Sequence, residues 1–210
     1  MGSIKYYELS KDEEPNKNVE MFLRKGVKPG VAVDLGCGAG KDSVLLLKNG
    51  WTVFAVDLNA TEEYILEKLT DEEKKRFKFI QGLYQDADFP QCDLVIANRS
   101  MHFLSKREFK DVIEKIYGKL NPNGHFIAEF MGKKDQWAML GRNSAFVDLK
   151  EIKEVMEKKF DLEAVRDHEY DGVDDEGNDK HWHTITLITR AKNKNLVIAA
   201  KSKNADEKER

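Results

Sequence analysis

Apolar residues arrive along this chain in short runs, broken by glycines and charged clusters, and the spacing within each run decides what it can form. A polar opening ends in KDEEPNKN, after which VEMFLRKG has helical spacing running toward Gly26. Residues 1–26 read as an N-terminal cover. From Gly30 to Ile80 the pattern is strand, turn, helix, strand, helix, strand: VAVDL, then GCGAG, then KDSVLLLKNG, TVFAVD, a charged helix over residues 62–75, and FKFI. Strands that alternate with helices in this way predict a parallel sheet covered by helices. CDLVIA, a helix over residues 106–120 ended by NPNG, and HFIAEF continue the series, and neither apolar run alternates with polar residues, as expected of central strands buried on both faces.

Beyond residue 130 the pattern changes. Residues 131–147 have weak periodicity and are expected to cross the open edge of the sheet. DLKEIKEVMEKKF follows as a helix with Asp148 near its start. FDLEAVRDHEY and HWHTITLITRA are expected to pair as an antiparallel hairpin, because DGVDDEGND is too short to hold a crossover helix. Residues 191–210 carry six basic and three acidic residues with few large apolar side chains, which predicts a charged, fraying tail.

Composition narrows the class. The 210 residues are 40% hydrophobic, and 35 basic against 38 acidic residues leave a formal charge of -3. One globular domain with a mixed surface is expected, not a basic nucleic-acid binder. Cys37 and Cys92 are too few for a disulfide framework or a thiolate cage, no signal-like apolar run opens the chain, and no apolar run reaches the ~18 residues of a membrane span. A cytoplasmic, membrane-free protein is the expectation.

VAVDLGCGAGKDS carries the sharpest chemistry. A buried strand ends at Asp34 and Leu35, a helix begins near Lys41, and Gly36, Gly38 and Gly40 let a ligand approach the main chain. The dinucleotide fingerprint requires glycine where Lys41 stands, and the phosphate loop requires four residues before GK and a hydroxyl after it, so NAD and ATP chemistry both fit poorly. Asp57, at the end of TVFAVD, can accept two ribose hydroxyls. Asp34 can hold the loop amides or meet an ammonium through water. That division suits a cofactor with an amino-acid end and a nucleoside end.

VAVDLGCGAGKDS together with AVDLN resembles the class I S-adenosylmethionine-dependent methyltransferases, most closely their small-molecule branch with the tellurite-resistance-type enzymes. The resemblance covers residues 27–190. It implies an α/β Rossmann-like three-layer sandwich whose seven-stranded, mostly parallel sheet has the order 3-2-1-4-5-7-6 with strand 7 antiparallel. It implies S-adenosylmethionine as cofactor, S-adenosylhomocysteine as product, and a site in which Asp34, Gly36, Cys37, Gly38 and Gly40 surround the methionine portion. Asp57 would bind the ribose and Leu58 would pack on adenine. Where many relatives have an Asp near the adenine amino group this sequence has Leu83 and Tyr84, which would supply a backbone and a ring. Asn98 and Arg99 would stand at the carboxyl end of the fourth strand.

The acceptor side is less defined. Tyr6, Tyr7, Arg99, His102 and Trp137 are candidate substrate contacts, with His102 more readily read as packing or capping the next helix than as a base. No catalytic residue is assigned, because in-line methyl transfer to a good nucleophile needs alignment above all. His181 and His183 lack a third ligand at convincing spacing, so no metal is expected. Transfer of a methyl group to a small-molecule nucleophile by a monomer or homodimer is the primary expectation. A noncatalytic S-adenosylmethionine-binding regulator, and then an RNA methyltransferase, are the alternatives.

Overall fold

The computed structural model describes residues 7–8, 10–142, 144–174 and 176–193. Tyr6 and residues 194–210 of the tail lie outside the described residues. The elements are α1 (Lys17–Leu23), β1 (Val31–Leu35), α2 (Lys41–Lys48), β2 (Thr52–Asp57), α3 (Glu62–Leu66), α4 (Asp71–Lys74), β3 (Phe77–Gln81), β4 (Cys92–Asn98), α5 (Lys106–Lys119), β5 (Leu120–Met131), α6 (Gln136–Met139), α7 (Leu149–Met156), β6 (Phe160–Val173) and β7 (Asp179–Ala191). One sheet contains all seven strands in the order β3-β2-β1-β4-β5-β7-β6. β1 to β5 pair in parallel, while β7 runs antiparallel to both β5 and β6. Order, direction and layering are those that the resemblance implies.

Strand parity sends side chains to two cores, one on each face. Val33, Leu35, Val95 and Phe126 pack with Ile113 and Ile116 of α5 and Ile152 of α7. Ala32, Leu94, Ile96 and Ile188 pack on the other face with Phe22 of α1, Leu46 and Leu47 of α2, and Ile65 of α3. Burying a side chain such as Phe22 contributes roughly 2 kcal/mol, so the layers are held mainly by these two faces.

The helices begin where capping is available. Ser105 and Glu108 form a reciprocal capping box at α5, and Asp148 and Glu151 form one at α7. A third box, Thr70 with Glu73, changes the expected picture: the charged stretch over residues 62–75 is two short helices, not one, because Thr70 starts a new helix at α4. The turn expected at NPNG is also different. β5 already pairs at Leu120 with Cys92 and then shifts register before His125 meets Leu94, so residues 121–124 are an irregularity within the strand. Asn123 takes φ 64°, and Asn121 Nδ2 donates to Asp93 Oδ1 at 2.8 Å, which anchors that excursion.

Residues 131–142 and 144–147 hold more structure than weak periodicity suggests. Gly132 bridges Val147, and Asp135 caps the short helix α6 through the Trp137 N–H at 2.9 Å. The last strand reaches the first residue of the expected tail: Ala191 is buried in β7, and the Lys192 N–H donates to Lys159 O at 2.8 Å. Among the described residues no helix is long and apolar enough to cross a membrane.

Candidate functional site

At the carboxyl ends of β1, β2 and β4 lies a cleft of about 1160 Å³. One side is made by the glycine loop. The N–H groups of Gly36 and Cys37 donate to Val56 O at 2.8 and 3.0 Å, which ties the loop to β2. Gly36 has φ 73°, and a Cβ there would stand 2.6 Å from Ser100 Cβ, so glycine allows the loop to touch the turn after β4.

Asp57 organises the loop from the next strand. Its Oδ2 accepts from Gly38 N at 2.9 Å, and its Oδ1 accepts from Asn59 N at 2.9 Å and from the Tyr7 hydroxyl at 3.3 Å. Asn59 Nδ2 in turn donates to the Tyr7 oxygen at 2.7 Å. Burial, reinforced by the Asp57 charge, pushes the Tyr7 phenol up to about 12. Of the two roles open to Asp34, holding the loop amides or meeting an ammonium through water, the first falls to Asp57 at the Gly38 amide.

Asp34 instead accepts from Ser43 Oγ at 2.7 Å. Burial first, and then the nearby Asp42 charge, push its carboxyl up to about 7. Asp42 is itself buried: Oδ1 accepts from Asn16 N and Oδ2 from Asn98 Nδ2, each at 2.7 Å, and burial raises its pKa. Asp34, Asp42 and Asp57 all line the cleft. Asp42 and Asn16 were not singled out from the sequence. The available signal was weak: an acidic residue in the first turn of α2 reads first as a helix-dipole partner, and its burial depends on Asn98, 56 positions away.

Cys37, Leu58, Leu83 and Tyr84 also line the cleft. Burial raises the Cys37 thiol well above the usual range, and Thr61 Oγ1 lies 4.0 Å from its sulfur. Leu83 is exposed. Tyr84 is buried, with its hydroxyl donating to Ser100 O at 2.9 Å, so its polar end serves the turn after β4.

That turn carries the other expected residues. Asn98 Oδ1, Ser100 Oγ and His102 Nδ1 are buried without a hydrogen-bond partner among the described residues, and all three residues line the cleft. Arg99 sits at φ 53°, its Nε donates to Glu129 Oε1 at 3.2 Å, and its guanidinium lies 5.7 Å from the Trp182 ring centre. His102 is packed 4.0 Å from Phe103, centre to centre, and burial holds its imidazole down to about 4, against the pull of Asp135. It does not cap the following helix; Ser105 does. Trp137, on α6, reaches the same cleft and lies 5.6 Å from Trp182.

The two histidines of KHWH do not converge on a ligand. The His183 ring lies 2.7 Å from Asp167 Oδ1 and accepts from Lys134 N, whereas His181 pairs with Asp171. Among the described residues no group of three or more His, Cys, Asp or Glu side chains is placed to hold a metal ion.

Comparison with known proteins converges on the same architecture. A family model described as "Methyltransferase domain" matches residues 32–124. The carboxy-S-adenosyl-L-methionine synthase of Campylobacter concisus (strain 13826) is 28% identical over 132 residues, covering 60% of this chain and 53% of that protein. That of Campylobacter jejuni subsp. jejuni serotype O:23/36 (strain 81-176) is 27% identical over 140 residues, covering 64% and 57%. The chain thus spans about half the length of the curated relatives it matches. Among solved structures, TehB from Haemophilus influenzae superposes with TM-score 0.68 at 19% identity over 90% of this chain and 67% of that one. The Burkholderia thailandensis 1,6-didemethyltoxoflavin-N1-methyltransferase, solved with bound 1,6-didemethyltoxoflavin and S-adenosylhomocysteine, gives TM-score 0.68 at 18% identity over 90% and 85%. The chain therefore has the seven-stranded Rossmann-like fold of these two solved proteins, and over part of its length it is similar to the methyltransferase-domain family and to the carboxy-S-adenosyl-L-methionine synthases.

Proposed function

We propose that this chain transfers a methyl group from S-adenosylmethionine to a small-molecule nucleophile, releasing S-adenosylhomocysteine, with residues 27–190 as the catalytic unit. One observation carries this furthest: a single cleft joins the glycine loop and three carboxylates to a second, ring-lined half beside the end of β4. Its residues fit the cofactor. Asp34 and Asp42 offer negative charge to an ammonium, Asp57 offers an acceptor to ribose hydroxyls, and the orphaned Asn98 Oδ1 leaves a buried acceptor for a polar ligand atom. Leu58, Leu83 and Tyr84 would flank the base, and Gly36, Cys37, Gly38 and Gly40 would let the backbone close on the methionine portion.

When bound, the cofactor supplies an electrophilic methyl group on a sulfonium. The protein's part is to align an acceptor with it and to exclude water. Tyr7, Arg99, His102 and Trp137 line the cleft where they could orient that acceptor. Tyr6 is assigned the same role from the sequence alone. His102, held neutral at ordinary pH, could accept a hydrogen bond or proton there.

The curated relatives favour a second reading, in which the cofactor itself is modified, as the name of the carboxy-S-adenosyl-L-methionine synthases states for those proteins. A noncatalytic sensor and an RNA methyltransferase have less behind them. A cytoplasmic monomer or homodimer completes the proposal.

Calorimetry with S-adenosylmethionine and S-adenosylhomocysteine comes first, and failure to bind either would end both enzymatic readings. Mass spectrometry after incubation with metabolite extract then separates them. Methyl transfer yields S-adenosylhomocysteine and a methylated extract component; cofactor modification yields a heavier sulfonium and no methylated acceptor.

A further inference from the structure

The half of the cleft away from the glycine loop has a wall of rings. His102, Phe103, Trp137, Tyr170 and Trp182 line it. Tyr170 and Trp182 are stacked, with centres 6.3 Å apart and planes inclined by 11°, and Trp137 stands 5.6 Å from Trp182. Rings gathered in this way often bind a cation through their faces. Here those faces already carry the protein's own cations: Lys180 Nζ lies 3.5 Å from the Trp182 ring centre and 4.3 Å from that of Trp137, and the Arg142 guanidinium lies 4.2 Å from Trp137. A positively charged acceptor would have to displace Lys180 or Arg142 to reach them.

A buried ion pair sets the spacing of the wall. Asp135 and Lys180 are almost fully buried, and Lys180 Nζ donates to both Asp135 oxygens at 2.7 and 2.6 Å. Asp135 also accepts from Trp137 N at 2.9 Å and His183 N at 3.2 Å. One carboxylate thus holds the segment carrying Trp137 against β7, which carries Trp182. A buried pair of this kind is often no more stable than apolar side chains of similar size, so geometry is the better reason for it beside a cleft.

Resting on the methyl-transfer reading, we propose that this half of the cleft takes a flat aromatic or heteroaromatic ring, uncharged or anionic, laid along the Trp137 and Trp182 wall, with Asp135 and Lys180 as the positioning pair. A flat ring would stack on the Arg142 guanidinium, which itself covers Trp137, and meet the indoles at their edges, and an anionic substituent would find Arg99 and Arg142 at the rim.

The test uses the full chain saturated with S-adenosylhomocysteine, and ligand-observed NMR with three probes: indole-3-carboxylate, cyclohexanecarboxylate and choline. Indole-3-carboxylate is expected to bind the most tightly. Equal or tighter binding of either other probe, or no binding of the indole, overturns the proposal. Trp137→Leu should weaken the indole by roughly tenfold while leaving S-adenosylhomocysteine affinity unchanged. The paired change Asp135→Asn with Lys180→Met removes both charges together, avoids a stranded buried ion, and should act the same way. If that pair fails to fold, Trp137→Leu decides, and an unchanged indole affinity counts against the wall. Calorimetry with S-adenosylhomocysteine alone, beside the probe series repeated without it, separates the proposals: absence of cofactor binding sinks the methyl-transfer reading, whereas the ring preference is read from the probes by themselves.

Discussion

Asp57 holds the Gly38 and Asn59 amides with one carboxylate, and the proposed function gives what remains of its lone pairs to a ribose. Asp57→Ala removes a charged acceptor worth about 1.5–3 kcal/mol, so S-adenosylhomocysteine affinity should fall by roughly 10–100-fold in calorimetry. Affinity within a factor of about two would remove Asp57 from the ribose assignment. Asp34 makes the opposite kind of prediction. Its carboxyl, ordinarily at 3.8, is raised to about 7, so the folded state favours the protonated form. The associated stability is complete below the ordinary value and is lost as the pH rises from there through 7. Asp34→Asn keeps an acceptor for Ser43 and cannot ionise. The variant should resist urea better than the parent at pH 8, with the advantage shrinking toward pH 5, while its cofactor affinity falls. A stability gain that is the same at both pH values would contradict the buried-charge account. Sequence pattern pointed to Asp34 and Asp57, since each ends an apolar strand. It could not reveal that the Asp34 carboxyl is raised, which depends on burial and on Asp42.

The glycine loop was legible at the element scale because its information is local: a strand, a run of glycines and a helix start lie within a dozen or so residues of one another. Gly36 adds a tertiary condition that spacing cannot carry, contact with Ser100. Gly36→Ala combines a left-handed backbone with that overlap, so it should cost at least about 1 kcal/mol in denaturant unfolding. Because the strain falls where the loop meets the turn after β4, S-adenosylhomocysteine affinity should drop as well. Wild-type stability and affinity together would mean that the two loops yield freely. The missed elements share one cause. Thr70 restarts a helix through its capping box, and Asn121–Gly124 bulge from β5 because Asp93 holds Asn121. Asp135 and Lys180 meet across 45 residues. Periodicity sees the repeating face of an element, whereas these features arise from single hydrogen bonds or distant partners.

Strand order matters most at the scale of the whole molecule, and periodicity alone does not give it; the alternation of elements predicted a parallel sheet, and the family resemblance supplied the sequence of neighbours. The reversed strand β7 lies between β5 and β6, so the end of the described chain is interior to the sheet and not at its margin. A tail starting at residue 191 would therefore remove structure. Ala191 is buried opposite Phe160, the Lys192 N–H donates to Lys159 O at 2.8 Å, and Tyr117 on α5 donates to Lys192 O at 3.2 Å. These contacts join β7, α5 and the segment before β6 at one corner. With about 1 kcal/mol for each of the two backbone-anchored hydrogen bonds, and the Lys192 Nζ bond to Glu157 O and the buried Ala191 in addition, a chain ending at Arg190 should be at least about 2 kcal/mol less stable than one ending at Asn193. Side-by-side urea titrations of the two would measure the difference. The glycine-loop end of the cleft lies across the molecule from this corner, so both chains should bind S-adenosylhomocysteine equally well once folded. Equal midpoints would show that the sheet closes without this corner, and a selective loss of binding would reveal coupling between the end of β7 and the cofactor half that the hydrogen-bond pattern does not contain.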